Sequence, residues 1–282
     1  MINGYKDLFL DRTYKGAEDK YLEGANFFEI YALYSFDREL RSLFLRYILE
    51  IENNVKTALA YEFSKKYGFD NYLTIGNFNT NVQPHEKRKT AAQKIGEVSD
   101  LITGIQREIS KQLSNNNPMI SHYMLEEGYV PLWVLVNILT LRTISKFYNN
   151  LKQINQNTIG IKFKLYPDEM CALLSVLSIF RNQCVHDSRI YNFKAVKKNG
   201  AANSIKTNKM HAELKIQMDS GNNPIYGKND LFAIVIIFKL MLSKSSFNKF
   251  CFALKHEIEE VDKKLQTIEI ETILQKMGFP SN

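Results

Sequence analysis

The chain lacks most of the features that would identify its activity at a glance. Of its 282 residues only three are cysteine, Cys171, Cys184 and Cys251. An odd number without metal-ligand spacing excludes a disulfide scaffold and a cysteine-based zinc site. The three sit in apolar surroundings and read as buried free thiols of a reducing compartment. Long apolar runs are also missing: LFAIVIIFKLML, from Leu231 to Leu242, is too short to span a bilayer and carries Lys239. The opening MINGYKDLFLDRTYKG has no uninterrupted apolar segment, so no signal peptide and no membrane partner are expected, and the chain reads as cytoplasmic. There is no G-x-x-x-x-G-K-[ST] loop, G-x-S-x-G elbow or H-E-x-x-H helix, which removes the phosphate-loop, hydrolase and zinc-protease readings. No cofactor and no metal is expected. Internal repeats are absent, and so is strand alternation, apart from a short hairpin expected inside a lysine-rich stretch.

What is present is a basic balance on a globular composition. Lysine and arginine outnumber aspartate and glutamate by 37 to 30, a net charge of +7, while 45% of residues are hydrophobic. That balance favours polyanionic partners, nucleic acid or an acidic membrane surface, without choosing between them. The length allows a sizeable core in one large domain or two small ones.

Helical spacing dominates. Apolar residues fall at Leu40, Leu43, Phe44, Tyr47, Ile48, Ile51, Val55, Leu59 and Phe63, which predicts a long helix. Asp37 is its expected N-cap and Gly68 its C-cap, with Glu52–Lys56 and Glu62–Lys66 as same-face pairs. A second helix is expected from Pro84 to Leu113, beginning with the basic run HEKRK, and a third from Pro131 through PLWVLVNILTLRTISKFYNNL. QINQNTIG reads as a polar linker. Pro167 and Asp168 should start a helix running to about Tyr191. A lysine-rich irregular stretch then covers 193–228, and helices at Asn229–Leu242 and Ser246–Leu265 close the core. The fold class is all-α.

The helix from Pro167 carries the chemistry. Met170, Leu173, Leu174, Leu177, Phe180 and Cys184 form one apolar face; Asn182, His186 and Arg189 line the opposite side, bordered by Ala172, Ile179 and Ile190. Two apolar sides call for two partners, one of which could be a second subunit with His186 at the seam. Arg181 and His186 lie five apart, about 140° around an ideal helix, so they do not share a face. Histidine can accept a proton from a ribose 2′-OH or give one to a leaving 5′-oxygen, and arginine can hold a phosphate as charge builds on it. Asn182 could orient either group. Such a set suits RNA better than DNA, because attack by the 2′-OH needs no metal. From spacing alone, a helix end capped by cations accounts for His186 and Arg189 better than catalysis does.

The stretch FRNQCVHDSRIYN, with its R-x4-H pair, resembles the signature of the HEPN ribonucleases, and more closely that of the Abi-like abortive-infection proteins of bacteria, AbiD and AbiF type. Arg181, Asn182, Cys184, His186, Ser188, Arg189 and Asn192 occupy matching places. Three further segments resemble the family in order: the long helix containing FDRELR, the proline-leucine-tryptophan helix VPLWVLVNILTLRTISKFYNNL, and the closing MGFP. The sequence departs from the pattern at Arg142, where a small residue is expected, and at Asp187, where a second histidine is common. The resemblance implies a single Abi-like domain over 1–282: a HEPN-like helical bundle at about 27–265, with additional N-terminal helices and a long basic insertion at 193–228. It further implies a homodimer whose R-x4-H motifs share a cleft, metal-independent RNA cleavage leaving a 2′,3′-cyclic phosphate, a role in phage defence, and a regulatory small RNA as a further partner. The implied catalytic residues are Arg181, His186 and Asn182.

Arg189, Lys197, Lys198, Lys206 and Lys209 are the expected grips on RNA backbone, although a solvated loop explains the lysines equally well. His122 is expected to be structural, His85, His211 and His256 to lie on the surface, and Trp133, among Leu132, Val134 and Leu135, to anchor the core rather than to serve as a base-stacking platform. Three functions compete: a growth-arresting endoribonuclease, a non-catalytic RNA-binding protein in which the motif is architectural, and a protein-interaction module.

Overall fold

The computed structural model describes residues 2–82 and 89–280; His85, with most of the HEKRK run and the expected start at Pro84, lies outside the described residues. Among the described residues the chain is all-α, with short 3-10 turns and isolated bridges as its other regular features. The helices are α1 (Phe27–Tyr67), α2 (Ala91–Ser114), α3 (Pro118–Glu126), α4 (Leu132–Ile138), α5 (Leu141–Asn150), α6 (Gln153–Lys162), α7 (Pro167–Val185), α8 (Lys209–Glu213), α9 (Leu231–Met241), α10 (Lys244–Asp262) and α11 (Ile270–Met277). They divide between two compact units, Met1–Leu49 with Ile179–Asn282, and Glu50–Ser178.

In the first unit α1 starts ten residues before the expected N-cap. The Asn26 side-chain oxygen accepts the N–H groups of Phe28 and Glu29 at 2.9 and 3.2 Å, so Asn26 caps the helix and Asp37 lies inside it. The reason is that the apolar spacing runs backwards through Phe36, Leu33 and Ile30, all buried. Aromatic rings fill this core: Phe238 and Phe250 lie 5.7 and 5.2 Å from Phe44 and 4.8 Å from each other. α9 and α11 both pack on α10. The lysine-rich stretch is more ordered than its composition suggests. Two isolated bridges, Val196↔Ala202 and Met218↔Pro224, stand where one short hairpin was expected, and the N–H groups of Ala195 and Ile205 donate to the carbonyls of Asn229 and Lys228. His211, expected on the surface, is fully buried. Its Nδ1 accepts the Asn208 N–H at 3.2 Å, which leaves the proton on Nε2 to donate to the Gly227 carbonyl at 2.9 Å. His211 therefore staples two parts of the stretch together as a neutral imidazole.

The second unit takes the remainder of α1, from Glu50 to the C-cap Gly68, whose φ of +85° is the left-handed turn expected there. Rings of Phe63, Phe78 and Phe147 meet at 5.7, 5.2 and 5.1 Å. α2 opens with a reciprocal cap between Thr90 and Gln93, and packs on α3 and α5. The single helix expected from Pro131 is two, because Thr140 turns outward to accept the Thr143 N–H and starts α5. The supposed linker QINQNTIG is helix α6. Its polar sequence misled because one polar residue is the buried one: Asn155 donates to the Tyr67 hydroxyl at 3.0 Å and accepts from Lys66 at 2.9 Å. Glu52–Lys56 forms as expected at 2.8 Å, whereas Glu62 reaches Lys162 instead of Lys66, also at 2.8 Å.

Glu29 illustrates how the first unit closes. One carboxylate oxygen accepts the backbone N–H groups of Gln266 and Thr267, each at 2.7 Å; the other accepts the Thr267 hydroxyl at 2.7 Å. Burial opposes the charge, but these donors outweigh it and hold the carboxyl below its ordinary value of 4.5. A depressed folded value means that the contribution is present above pH 4.5 and drains away as pH falls through the folded value. Glu29→Gln is expected to cost about 2 kcal/mol at neutral pH, since the backbone donors lose a charged acceptor. Denaturant unfolding of both proteins should show this gap at pH 7 and a shrinking gap in acid.

Candidate active site

The motif stands where α7 stops. The helix ends at Val185, six residues short of the expected Tyr191. The His186 N–H still donates to the Asn182 carbonyl at 3.0 Å, and then Asp187 turns left-handed at φ +52° while the Ser188 N–H donates back to Gln183 at 3.2 Å. This is a helix-terminating turn with an aspartate in the place glycine usually takes. The face assignment therefore fails past Val185: Arg189 does not continue the row of Asn182 and His186.

The cause lies on α1. Asp37, fully buried, accepts the N–H groups of Ile190 and Tyr191 at 3.1 and 2.7 Å, the Tyr5 hydroxyl at 2.8 Å and Arg41 Nη1 at 2.6 Å. Arg41, one turn along, uses its other nitrogen on the Asp187 carboxylate. Two N–H groups that would have continued the helix are thus captured by a side chain, and the left-handed residue is held by the partner of that same side chain. Burial pushes the Asp37 carboxyl above its ordinary value, and Tyr5, the two N–H groups and Arg41 offset only part of that push. Burial also works against the Arg41 charge, but Tyr5, Asp37 and Asp187 outweigh it and raise its affinity for the proton. The Tyr5 hydroxyl is driven up by burial and by the Asp37 charge, so it remains a donor.

Around this lock the sequence-predicted residues separate into groups. Arg181 and Asn182 sit half-buried in the last turn of α7, and His186 is exposed on the residue that caps it. Those three share one helix end, whose negative dipole favours positive charge beside it. Cys184 points inward; burial raises its thiol to about 12, which keeps it protonated and makes it a packing residue, not a nucleophile. Arg189 lies 5.7 and 5.9 Å from the ring centroids of Tyr5 and Tyr191, and 3.8 Å from the Asp7 carboxylate. It thereby ties the N-terminal turn, Ile2–Leu8, to the chain leaving the motif. Lys197, Lys198, Lys206 and Lys209 are exposed, Lys197 in the turn of a bridge and Lys209 at the start of α8. His122 and His256 are exposed, and Trp133 is 49% exposed instead of anchoring the core. Among the described residues no group of three or more His, Cys, Asp or Glu is placed to hold a metal ion.

Sequence reasoning overlooked Tyr5, Asp37 and Arg41 as parts of this site. A signal existed: an acid and an arginine four apart, set between the apolar positions Phe36, Leu40 and Phe44, belong to a buried stripe and need a buried partner. The lock predicts unequal costs. Arg41→Met leaves the Asp37 charge buried without its cation and should cost about 3–5 kcal/mol in denaturant unfolding. Asp187→Asn, at a side chain 57% exposed, should cost about 1 kcal/mol or less. Equal losses would contradict the geometry.

No curated protein and no solved structure matches this chain. The family model of the Abi-like proteins does, over residues 1–192, which takes in the N-terminal turn, α1, the whole of α7 and the lock up to Asn192. The matched stretch is more than half of the chain and ends where the motif ends. The chain belongs to the Abi-like protein family.

Proposed function

We propose that this protein is a metal-independent endoribonuclease of abortive infection, in which an infected cell halts growth by cutting RNA. Membership of the Abi-like family suggests phage defence; the reaction rests on the helix end. The observation that carries it is an exposed His186 at the helix end where Arg181 and Asn182 stand about one turn below, backed by a buried lock that fixes the turn after it. A reacting group gains from being held in one geometry before substrate arrives. His186 takes the proton from a ribose 2′-OH, the 2′-oxygen attacks the adjacent phosphorus, and the bond to the 5′-oxygen breaks as that oxygen receives a proton. The products are a 2′,3′-cyclic phosphate and a 5′-OH. Arg181 stabilises the charge gathering on the phosphate oxygens, and Asn182 orients phosphate or imidazole by hydrogen bonding. In a homodimer two such ends meet, so one imidazole acts as base while the other protonates the leaving oxygen. Lys197, Lys198, Lys206 and Lys209 hold the strand by its phosphates, with an affinity that falls as salt rises. A regulatory small RNA would bind through the same chemistry.

The packing of Arg189 and Asp187 favours a second reading, a non-catalytic RNA-binding protein in which the motif is purely architectural. The two separate cleanly. Purified protein incubated with total RNA in EDTA should produce fragments ending in cyclic phosphate. His186→Ala should lower the rate by at least about a hundredfold, the usual worth of a general base. Salt-sensitive RNA binding with no cleavage by either protein would instead establish the second reading.

A further inference from the structure

The second unit holds a groove that takes no part in the R-x4-H site. It encloses about 820 Å³ between α1 and α4, and its lining includes Trp133, Tyr61, Lys65, Asn53, Asn137 and Ser64. Trp133 is the one tryptophan of the chain, and it and Tyr61 are 49% and 59% exposed. Large aromatic side chains gain by burial; the Lys162 ammonium lies over the Tyr61 ring at 5.0 Å, so the unused stacking surface of the groove is Trp133. That surface extends further: the Phe69 ring meets Trp133 edge-on at 5.4 Å and stacks on Tyr129 at 5.7 Å.

The charge around the groove is of one sign. Lys56 and Lys65 line it and no acid does; Lys56 is neutralised by Glu52, while Lys65 is exposed. A second hollow of about 370 Å³ adjoins along α1, shares Lys65 and adds Lys66. The Lys66 ammonium bonds to the neutral Asn155 amide, and the one acid of that hollow, Glu62, is occupied by Lys162. Among the described residues neither Lys65 nor Lys66 has a carboxylate partner. Finally, the buried Ser64 hydroxyl in the wall of the larger groove has no hydrogen-bond partner. A buried hydroxyl without a partner calls for one from outside.

We propose that this groove binds single-stranded RNA, with a base stacked against Trp133 and the flanking phosphates on Lys65 and Lys66. Open rings beside uncompensated cations are the chemistry of strand binding, in which every base offers a face and every linkage a charge. A duplex does not fit this chemistry, because its bases are already stacked and its phosphates face outward. A second copy of the chain fits less well, since the centres of such interfaces are depleted in lysine. Ser64, Asn53 and Asn137 offer hydrogen bonds to the edge of the stacked base. The proposal rests on the RNA reading above but not on cleavage, and it adds a binding surface remote in sequence from the R-x4-H motif.

The lone tryptophan makes the test direct. Full-length His186→Ala protein, which leaves the strand uncut, is titrated in EDTA with end-labelled single-stranded oligoadenylate. Labelled-strand anisotropy and Trp133 emission are followed together. Emission should quench along the same curve as anisotropy. Trp133→Ala should weaken binding roughly 5- to 100-fold, and Trp133→Phe should restore most of it. Lys65→Ala should reduce the salt slope of log K by roughly 0.7. Unmoved emission while anisotropy saturates, or unchanged affinity in Trp133→Ala, would overturn the proposal. So would conversion of a dimer to a monomer by Trp133→Ala in light scattering, which would make the groove a seam between copies. An absence of any RNA binding by the full chain would remove the RNA reading together with the groove. Cleavage by the unmutated protein alongside a silent Trp133 would remove the groove alone.

Discussion

One buried carboxylate organises the first unit. Asp37 sits inside a long helix, out of reach of water, where an unpartnered charge would cost several kcal/mol. It is surrounded instead by four donors from three parts of the chain: Tyr5 from the N-terminal turn, Arg41 from its own helix, and the N–H groups of Ile190 and Tyr191 from the segment after α7. Each donor draws its segment to the same point. The two N–H groups bring the chain off the helix axis, Arg41 holds Asp187 in its left-handed turn, and Tyr5 seats the N-terminal turn against Tyr191. His186 is exposed because its neighbours are so firmly committed inward.

This arrangement explains why the motif is neither a plain helix cap nor a helix face. A cap needs only the residues near the helix end, whereas this turn depends on an aspartate 153 positions earlier in the chain. A face would require the helix to continue, and capture of two backbone donors prevents that. The result is an ionisable group at a helix terminus whose backbone cannot easily shift, with an arginine and an asparagine one turn below. A fixed backbone beneath an exposed histidine is the support that the proposed ribonuclease chemistry calls on.

Much of the fold was legible in the sequence, because the cues were local. The long helix, its glycine C-cap, the Glu52–Lys56 pair and the apolar face of α7 all follow from spacing of three and four. What failed was non-local. Asp37 resembled an N-cap because a lone aspartate before a periodic run usually is one, and nothing local announces a partner so far along the chain. QINQNTIG resembled a linker because polarity stands for exposure until a buried Asn155 finds a tyrosine hydroxyl and a lysine. His211 resembled a loop histidine for the same reason. Trp133 erred in the opposite sense: its neighbours Leu132, Val134 and Leu135 are buried, but at helical spacing they do not carry it inward with them. At the candidate site the motif names Arg181, Asn182 and His186, while nothing in it announces the lock on Asp187, Ile190 and Tyr191.

The central claim is that Asp37 pins the backbone after the motif, and amide hydrogen exchange reads that directly. If the account holds, the Ile190 and Tyr191 amides exchange as slowly as the α9 core, and Asp37→Asn accelerates those two far more than it does α9. Exchange of Ile190 and Tyr191 at the rate of the exposed Lys197–Gly200 turn in the unmutated protein would contradict it.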